Sequence, residues 1–200
     1  MSSNRLLLNP SKTEVFWCSS QRRLQSLPAV PVLICGTPVT PVDSIRDLSV
    51  YIEVDTTMKC HISETVCSCF GTLRQILSIR RALSRQALTT LVRALVVSKV
   101  DYCNSVLAGI SVNLLDRLQS VLNAAARLIY SANRADSITP LLRELKVPER
   151  IEFRLCVLVY RCLEGFAPSY LAEGIHRTTD NPTRKRLRSA DTTPLLVPPS

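Results

Sequence analysis

Glycine is scarce in this chain, five among 200 residues. The Gly-rich loops that cradle phosphates, G-x-x-x-x-G-K-[ST] and G-x-G-x-x-G, do not occur. Histidine is scarcer: His61 and His176 are the only two. Neither stands in a nucleophile motif, so hydrolysis by serine or cysteine has no candidate triad. No Asp-Asp pair occurs anywhere. Phosphoryl transfer through metal ions needs closely placed carboxylates, and the nearest set is Asp43, Asp47, Glu53 and Asp55. Their alternating spacing over a loop and a strand fits solvation or capping better. Apolar runs never approach the roughly 18 residues of a bilayer span, so no membrane partner is expected. Aromatics are only 5% beside many Leu, Val and Ala, a mixture that suits packed helices.

Eight cysteines would support a disulfide framework in an exported protein. Residues 1–12 hold one short run, Leu6-Leu7-Leu8, which Pro10 interrupts, and this is no signal peptide. Reduced thiols and an intracellular location, cytoplasmic or nuclear, are the expectation. Cys60, His61, Cys67 and Cys69 have the look of a zinc site but lack the second, spaced ligand pair. No metal site and no cofactor are expected. Cys156 and Cys162 stand among apolar neighbours and read as small core residues.

What the chain has in plenty is positive charge. The formal net charge is +9, carried mostly by arginine, and the pI is about 9.4. Arginine's planar fork suits phosphate, and a basic chain favours a nucleic acid or another anionic surface. Residues 65–100 concentrate this charge: Arg74, Arg80, Arg81, Arg85, Arg93 and Lys99, with no Asp or Glu. An ordinary exposed helix mixes signs, because like charges at i,i+4 repel. Weak, non-specific binding of RNA or DNA would relieve the repulsion and fall with salt. The tail run Arg184-Lys185-Arg186-Leu187-Arg188 is a second basic patch, and a solvated tail or localisation-like signal explains it equally well.

The pattern predicts a mainly α (α+β) fold. Residues 14–19, 30–35 and 45–54 are β-prone, with a turn at Gly36 and Pro28, Pro31, Pro38 and Pro41 between them. This predicts a short N-terminal β element, a hairpin plus a strand, confined to edges. Residues 63–83 repeat apolar side chains at Val66, Phe70, Leu73, Leu77 and Ala82, near a 3.6 period. Ser84 is the N-cap of a helix with the stripe Leu88, Leu91, Val92, Leu95 and Val96. Asn113 caps the next, whose stripe is Leu114, Leu118, Val121, Leu122, Ala125, Leu128 and Ile129. Pro140 starts a short helix ending near Lys146; Pro148 opens 149–164, with Gly165 as its stop. Residues 168–173 add one more turn. Three segments follow: a β element over 1–55, a helical domain over 56–176, and a flexible basic tail over 177–200.

Several stretches, in order, resemble one family. They are Leu8-Asn9-Pro10-Ser11-Lys12-Thr13-Glu14-Val15, Ser44-Ile45-Arg46-Asp47-Leu48-Ser49-Val50-Tyr51 and Leu73-Arg74-Gln75-Ile76-Leu77-Ser78-Ile79-Arg80-Arg81-Ala82-Leu83-Ser84. Further on come Ser98-Lys99-Val100-Asp101-Tyr102-Cys103-Asn104-Ser105 and Leu118-Gln119-Ser120-Val121-Leu122-Asn123-Ala124-Ala125-Ala126-Arg127-Leu128-Ile129. The set resembles the C-terminal part of reverse transcriptases of non-LTR, LINE-type retrotransposons, the jockey-like and chicken-repeat-like clades in particular. It spans residues 6–187. The resemblance implies that 6–55 is the trailing edge of the palm and that 63 onward is the helical thumb, which holds template and primer. Lys12 then matches the palm lysine beside the incoming nucleotide's phosphates.

This sequence departs from the family in two ways. The fingers and the metal-binding aspartates are absent, so magnesium belongs only to the intact family enzyme and this chain is not expected to polymerise. Ser49 stands where the family has Gly, which is read as a relaxed need for close backbone approach. The expected function is that of a non-catalytic, nucleic-acid-binding reverse transcriptase fragment. The alternative is a helical interaction module or non-functional remnant, whose exposed apolar faces meet a separate palm and fingers chain or a second copy.

Overall fold

The computed structural model describes residues 9, 12–19, 23, 26, 28, 30–132, 146–175, 177 and 195. These fall into two compact units, Met1–Val147 and Pro148–Ser200. The protein is mainly α, with a short β element near the N-terminus followed by helices.

In the first unit the Pro-punctuated stretch forms two separate antiparallel hairpins. β1 (Val32–Ile34) pairs with β2 (Thr37–Val39), and β3 (Ser44–Asp47) pairs with β4 (Val50–Glu53). Each turn is two residues long with both φ angles positive: Cys35 at 51° and Gly36 at 82°, Leu48 at 42° and Ser49 at 70°. This pattern matches the natural twist of paired strands. Gly36 adopts it freely, whereas the Cβ atoms of Leu48 and Ser49 oppose it. The expected single run over 45–54 is therefore a hairpin, split where the backbone turns left-handed. Residues 14–19 add only one parallel bridge, Val15 to Pro41. The Val42 N–H donates to the Val15 carbonyl at 2.8 Å, and the Ser19 N–H donates to the Val54 carbonyl at 3.0 Å. Pro41 has no N–H with which to extend that ladder.

Acidic side chains start the first helix. The Asp55 carboxylate accepts from the Thr57 N–H at 3.1 Å and from its hydroxyl at 2.8 Å. The Glu53 carboxylate accepts from the Thr57 hydroxyl and from the Cys60 N–H, both at 3.2 Å. They cap α1 (Lys59–Ile79), whose own cap residue, Met58, makes no side-chain cap bond. The helix thus begins before residue 63. It buries His61, Ile62, Cys69, Leu73 and Ile76, while Leu77 is 56% exposed. The expected stripe and the observed one share a period but differ in direction, because 3.6-residue spacing does not say which face meets a neighbour.

Arg80–Ala82 forms a single 3-10 turn. The Ser84 hydroxyl then accepts from the Ala87 N–H at 3.2 Å and caps α2 (Arg85–Val92). The helix continues through a π-turn, Arg93–Val97, into α3 (Ser98–Asp101). The wider turn shifts the buried face, so Val96, Val97 and Val100 are inside and Leu95 is 43% exposed. α4 (Val112–Tyr130) starts from Ser111, not Asn113; the extended backbone of Ser111 lets its carbonyl take the Leu115 N–H at 3.2 Å. Its seven expected apolar residues are all buried. α4 packs on α1 and α2, and burying these side chains supplies most of the stabilisation at this contact.

The second unit holds all but the first residue of α5 (Val147–Leu163), with Pro148 in its first turn. Gly165, φ 74°, ends it: the Phe166 N–H donates to the Arg161 carbonyl at 2.8 Å. Cys162 is buried as expected, but Cys156 is exposed, since six residues place it about 120° around the helix from Cys162. α6 (Ser169–Ala172) is one short turn. The expected helix over 140–146 lies outside the described residues except Lys146, and the tail 177–200 does so except Arg177 and Leu195. Among the described residues no helix is long and apolar enough to cross a membrane.

Candidate nucleic-acid interface

The six cations of residues 65–100 are distributed along one helical path. Arg74 lies on α1, Arg80 and Arg81 on the 3-10 turn, Arg85 at the start of α2, Arg93 at the start of the π-turn and Lys99 on α3. All are exposed except Arg80, which is half-buried.

The reversal between α1 and α2 brings Arg80, Arg81 and Arg85 to one corner, and the C-terminal end of α4 meets it there. The Arg80 guanidinium donates to the Ser131 hydroxyl. The Arg85 guanidinium lies over the Tyr130 ring, 4.4 Å from its centroid. The last carbonyls of a helix carry partial negative charge and favour such cations. Part of the repulsion that the sequence assigned to a polyanionic partner is therefore met within the fold. Tyr130 and Ser131 were not singled out from the sequence; an aromatic residue closing the α4 stripe was the available signal.

Lys99 lies elsewhere. Its ammonium donates to the Ser68 hydroxyl at 2.9 Å and the Thr72 hydroxyl at 3.5 Å. Those residues precede the end of α1 by roughly 10–17 Å at the usual helical rise. Thr72 and Arg74, two positions apart, point to sides of α1 about 160° apart. The expected single groove between consecutive helices does not hold all six cations. They divide into a corner, two residues on the adjoining helices, and Lys99 near the β3–β4 hairpin.

Lys12 is exposed, and its backbone N–H closes a turn on the Asn9 carbonyl at 3.1 Å. Of the zinc-like set, Cys67 is exposed and Cys69 buried, as two positions of one helix require. Among the described residues no group of three or more His, Cys, Asp or Glu is placed to hold a metal ion. Hydrogen bonds from Thr57 hold the Asp55 carboxyl below its ordinary pKa, which suits a cap. Burial pushes the Cys69 thiol up, so it stays protonated, with its sulfur 3.9 Å from the Val96 carbonyl.

In comparisons with known proteins, no family model, no curated protein and no solved structure matches this chain.

Proposed function

We propose that the chain is a non-catalytic module that binds RNA or DNA weakly and without sequence preference. Contact is made through Arg80, Arg81 and Arg85, with Arg74 and Arg93 on the adjoining helices. The observation that carries this reading is the exposed helical surface of residues 65–100, which has six cations and no carboxylate. The ordered resemblance to the palm edge and thumb of non-LTR retrotransposon reverse transcriptases supports it, and a cytoplasmic or nuclear location goes with it. Contacts to phosphate supply affinity but not base readout. Dissociation constants of ~10⁻⁴–10⁻⁶ M at physiological salt are the expectation.

The test is fluorescence anisotropy with short RNA and DNA of several sequences, at several salt concentrations. Arg80 is tied to Ser131, so the informative variant is Arg74→Glu with Arg81→Glu. It should weaken binding to every sequence alike and flatten the salt dependence. Equal binding by the wild type and the variant, or affinity that ignores salt, ends the reading.

A second reading rests on Leu77, Ile79, Val106 and Val112, which are 56%, 51%, 52% and 70% exposed. Helical faces of this kind join a partner chain or a second copy, and salt-tolerant self-association in the ultracentrifuge would favour it.

A further inference from the structure

A hollow of about 640 Å³ lies between the β3–β4 hairpin and the helices α1 and α3, and Arg46, His61, Glu64, Ser68, Lys99 and Tyr102 are among the residues that line it. Lys99 is held there by hydroxyls alone; among the described residues no carboxylate pairs with it. An ammonium has three donors, so one remains after Ser68 and Thr72. Arg46 rests 5.6 Å from the Tyr51 ring centroid, and stacking on a ring leaves the edge of a guanidinium open to an oxyanion. His61 is only 5% exposed and makes no hydrogen bond among the described residues. Buried polar groups are costly until partnered, and this ring forms part of the wall of an open hollow. Burial lowers its pKa, so it stands neutral, with one nitrogen to donate and one to accept. The Tyr102 hydroxyl donates to the Leu48 carbonyl at 2.7 Å and fixes the hairpin turn to the end of α3.

We propose that this hollow is a binding site for one phosphoryl group, engaged by Lys99, Arg46 and His61. Glu64 limits it to one: its carboxylate opposes a second phosphate, and polyphosphates are disfavoured. The volume falls within the range of small-ligand sites, so the phosphoryl group belongs to a mononucleotide or to the phosphorylated end of a strand. The site does not rest on the corner reading, because Arg46 and His61 take no part in the corner.

The chain's two histidines make the test direct. The full chain is titrated with inorganic phosphate at constant ionic strength while the imidazole resonances of His61 and His176 are followed by NMR. His61 should shift saturably and His176 should not. Arg46→Gln should weaken the apparent affinity, and Glu64→Gln should strengthen it, each by about fivefold for one partly screened charge. Arg74→Glu with Arg81→Glu should leave it unchanged, so failure here and failure at the corner are separable. Short oligonucleotides with a 5′-phosphate or a 5′-hydroxyl distinguish the sources. A shift with the phosphorylated strand alone assigns the site to strand ends, and a shift with phosphate and mononucleotide alone assigns it to free nucleotides. The proposal is overturned if His61 does not saturate, if both histidines shift in parallel, or if neither Arg46→Gln nor Glu64→Gln changes the titration.

Discussion

The corner and the hairpin hollow both gather cations, but their surroundings differ. At the corner, Arg80 is braced by Ser131 at the end of α4 and Arg85 by the ring of Tyr130, while Arg81 faces water. At the hollow, Lys99 and Arg46 share a cavity with a buried imidazole and one opposing carboxylate. Exposed charges act over about a Debye length and are screened by salt, whereas partly enclosed charges are screened less. The corner suits a long polyanion of any sequence, and the hollow suits one small group of defined shape. A count of positive residues in 65–100 joins what the fold keeps apart, because Lys99 belongs to the count and not to the corner.

The largest expected effect removes the support of both sites. Leu122 is fully buried on α4, and Leu122→Ala should cost about 2–5 kcal/mol, measured by urea denaturation. Nucleic-acid and phosphate binding should then fall together as the chain unfolds. Undiminished nucleic-acid binding in urea would break the comparison, since the corner would then need no folded helices.

A smaller effect, of opposite sign, comes from the turn that faces the hollow. Leu48 is 79% exposed, and both it and Ser49 have positive φ. Leu48→Asn with Ser49→Gly fits the residues such turns prefer and should stabilise the chain by about 1 kcal/mol. A raised urea midpoint with unchanged nucleic-acid affinity would sharpen the distinction; a lowered midpoint would refute the left-handed turn.

The smallest effect is with pH. Burial lowers the pKa of His61, so the unfolded chain takes up a proton more readily than the folded one. Stability contributed by the neutral ring is full above about pH 6.5, the unfolded value, and declines as pH falls from there toward the folded value. The urea midpoint of the wild type should drop between about pH 8 and about pH 5.5. His61→Asn should show a smaller drop, and equal drops would place the titration elsewhere.

How much of this was legible in the sequence varies with the kind of information each part needs. The stripe of α4 and the Ser84 cap depend on local spacing and local hydrogen bonding, and both stand where the residues put them. The buried face of α1 does not, because Ile62 and Val66 fit the same period and only the position of α4 chooses between them. The Leu48-Ser49 turn was hidden because neither residue favours positive φ; the Gly that the resembling family places at 49 fits this turn geometry as well as the close approach first inferred for it. The hollow draws on residues 46, 61, 64, 68, 99 and 102, which no linear motif connects. Glu53 and Asp55 were weighed as members of an acidic cluster, and their bonds to Thr57 and Cys60 depend on a strand-to-helix turn that spacing alone does not show.

The π-turn at Arg93–Val97 has a corollary for insertions and deletions. One residue more than a standard turn is accommodated there, so everything that follows is rotated relative to what precedes it. Losing a single residue, Ala94 or Leu95 for instance, would restore ordinary winding and swing the downstream side chains by about 100°. Composition and net charge would not change, yet Lys99 would turn away from Ser68 and Thr72, and Val97 and Val100 would leave the core. The spacing between Arg93 and Lys99 acts as a phase setting, and codon number in this short stretch matters more than which aliphatic residues fill it.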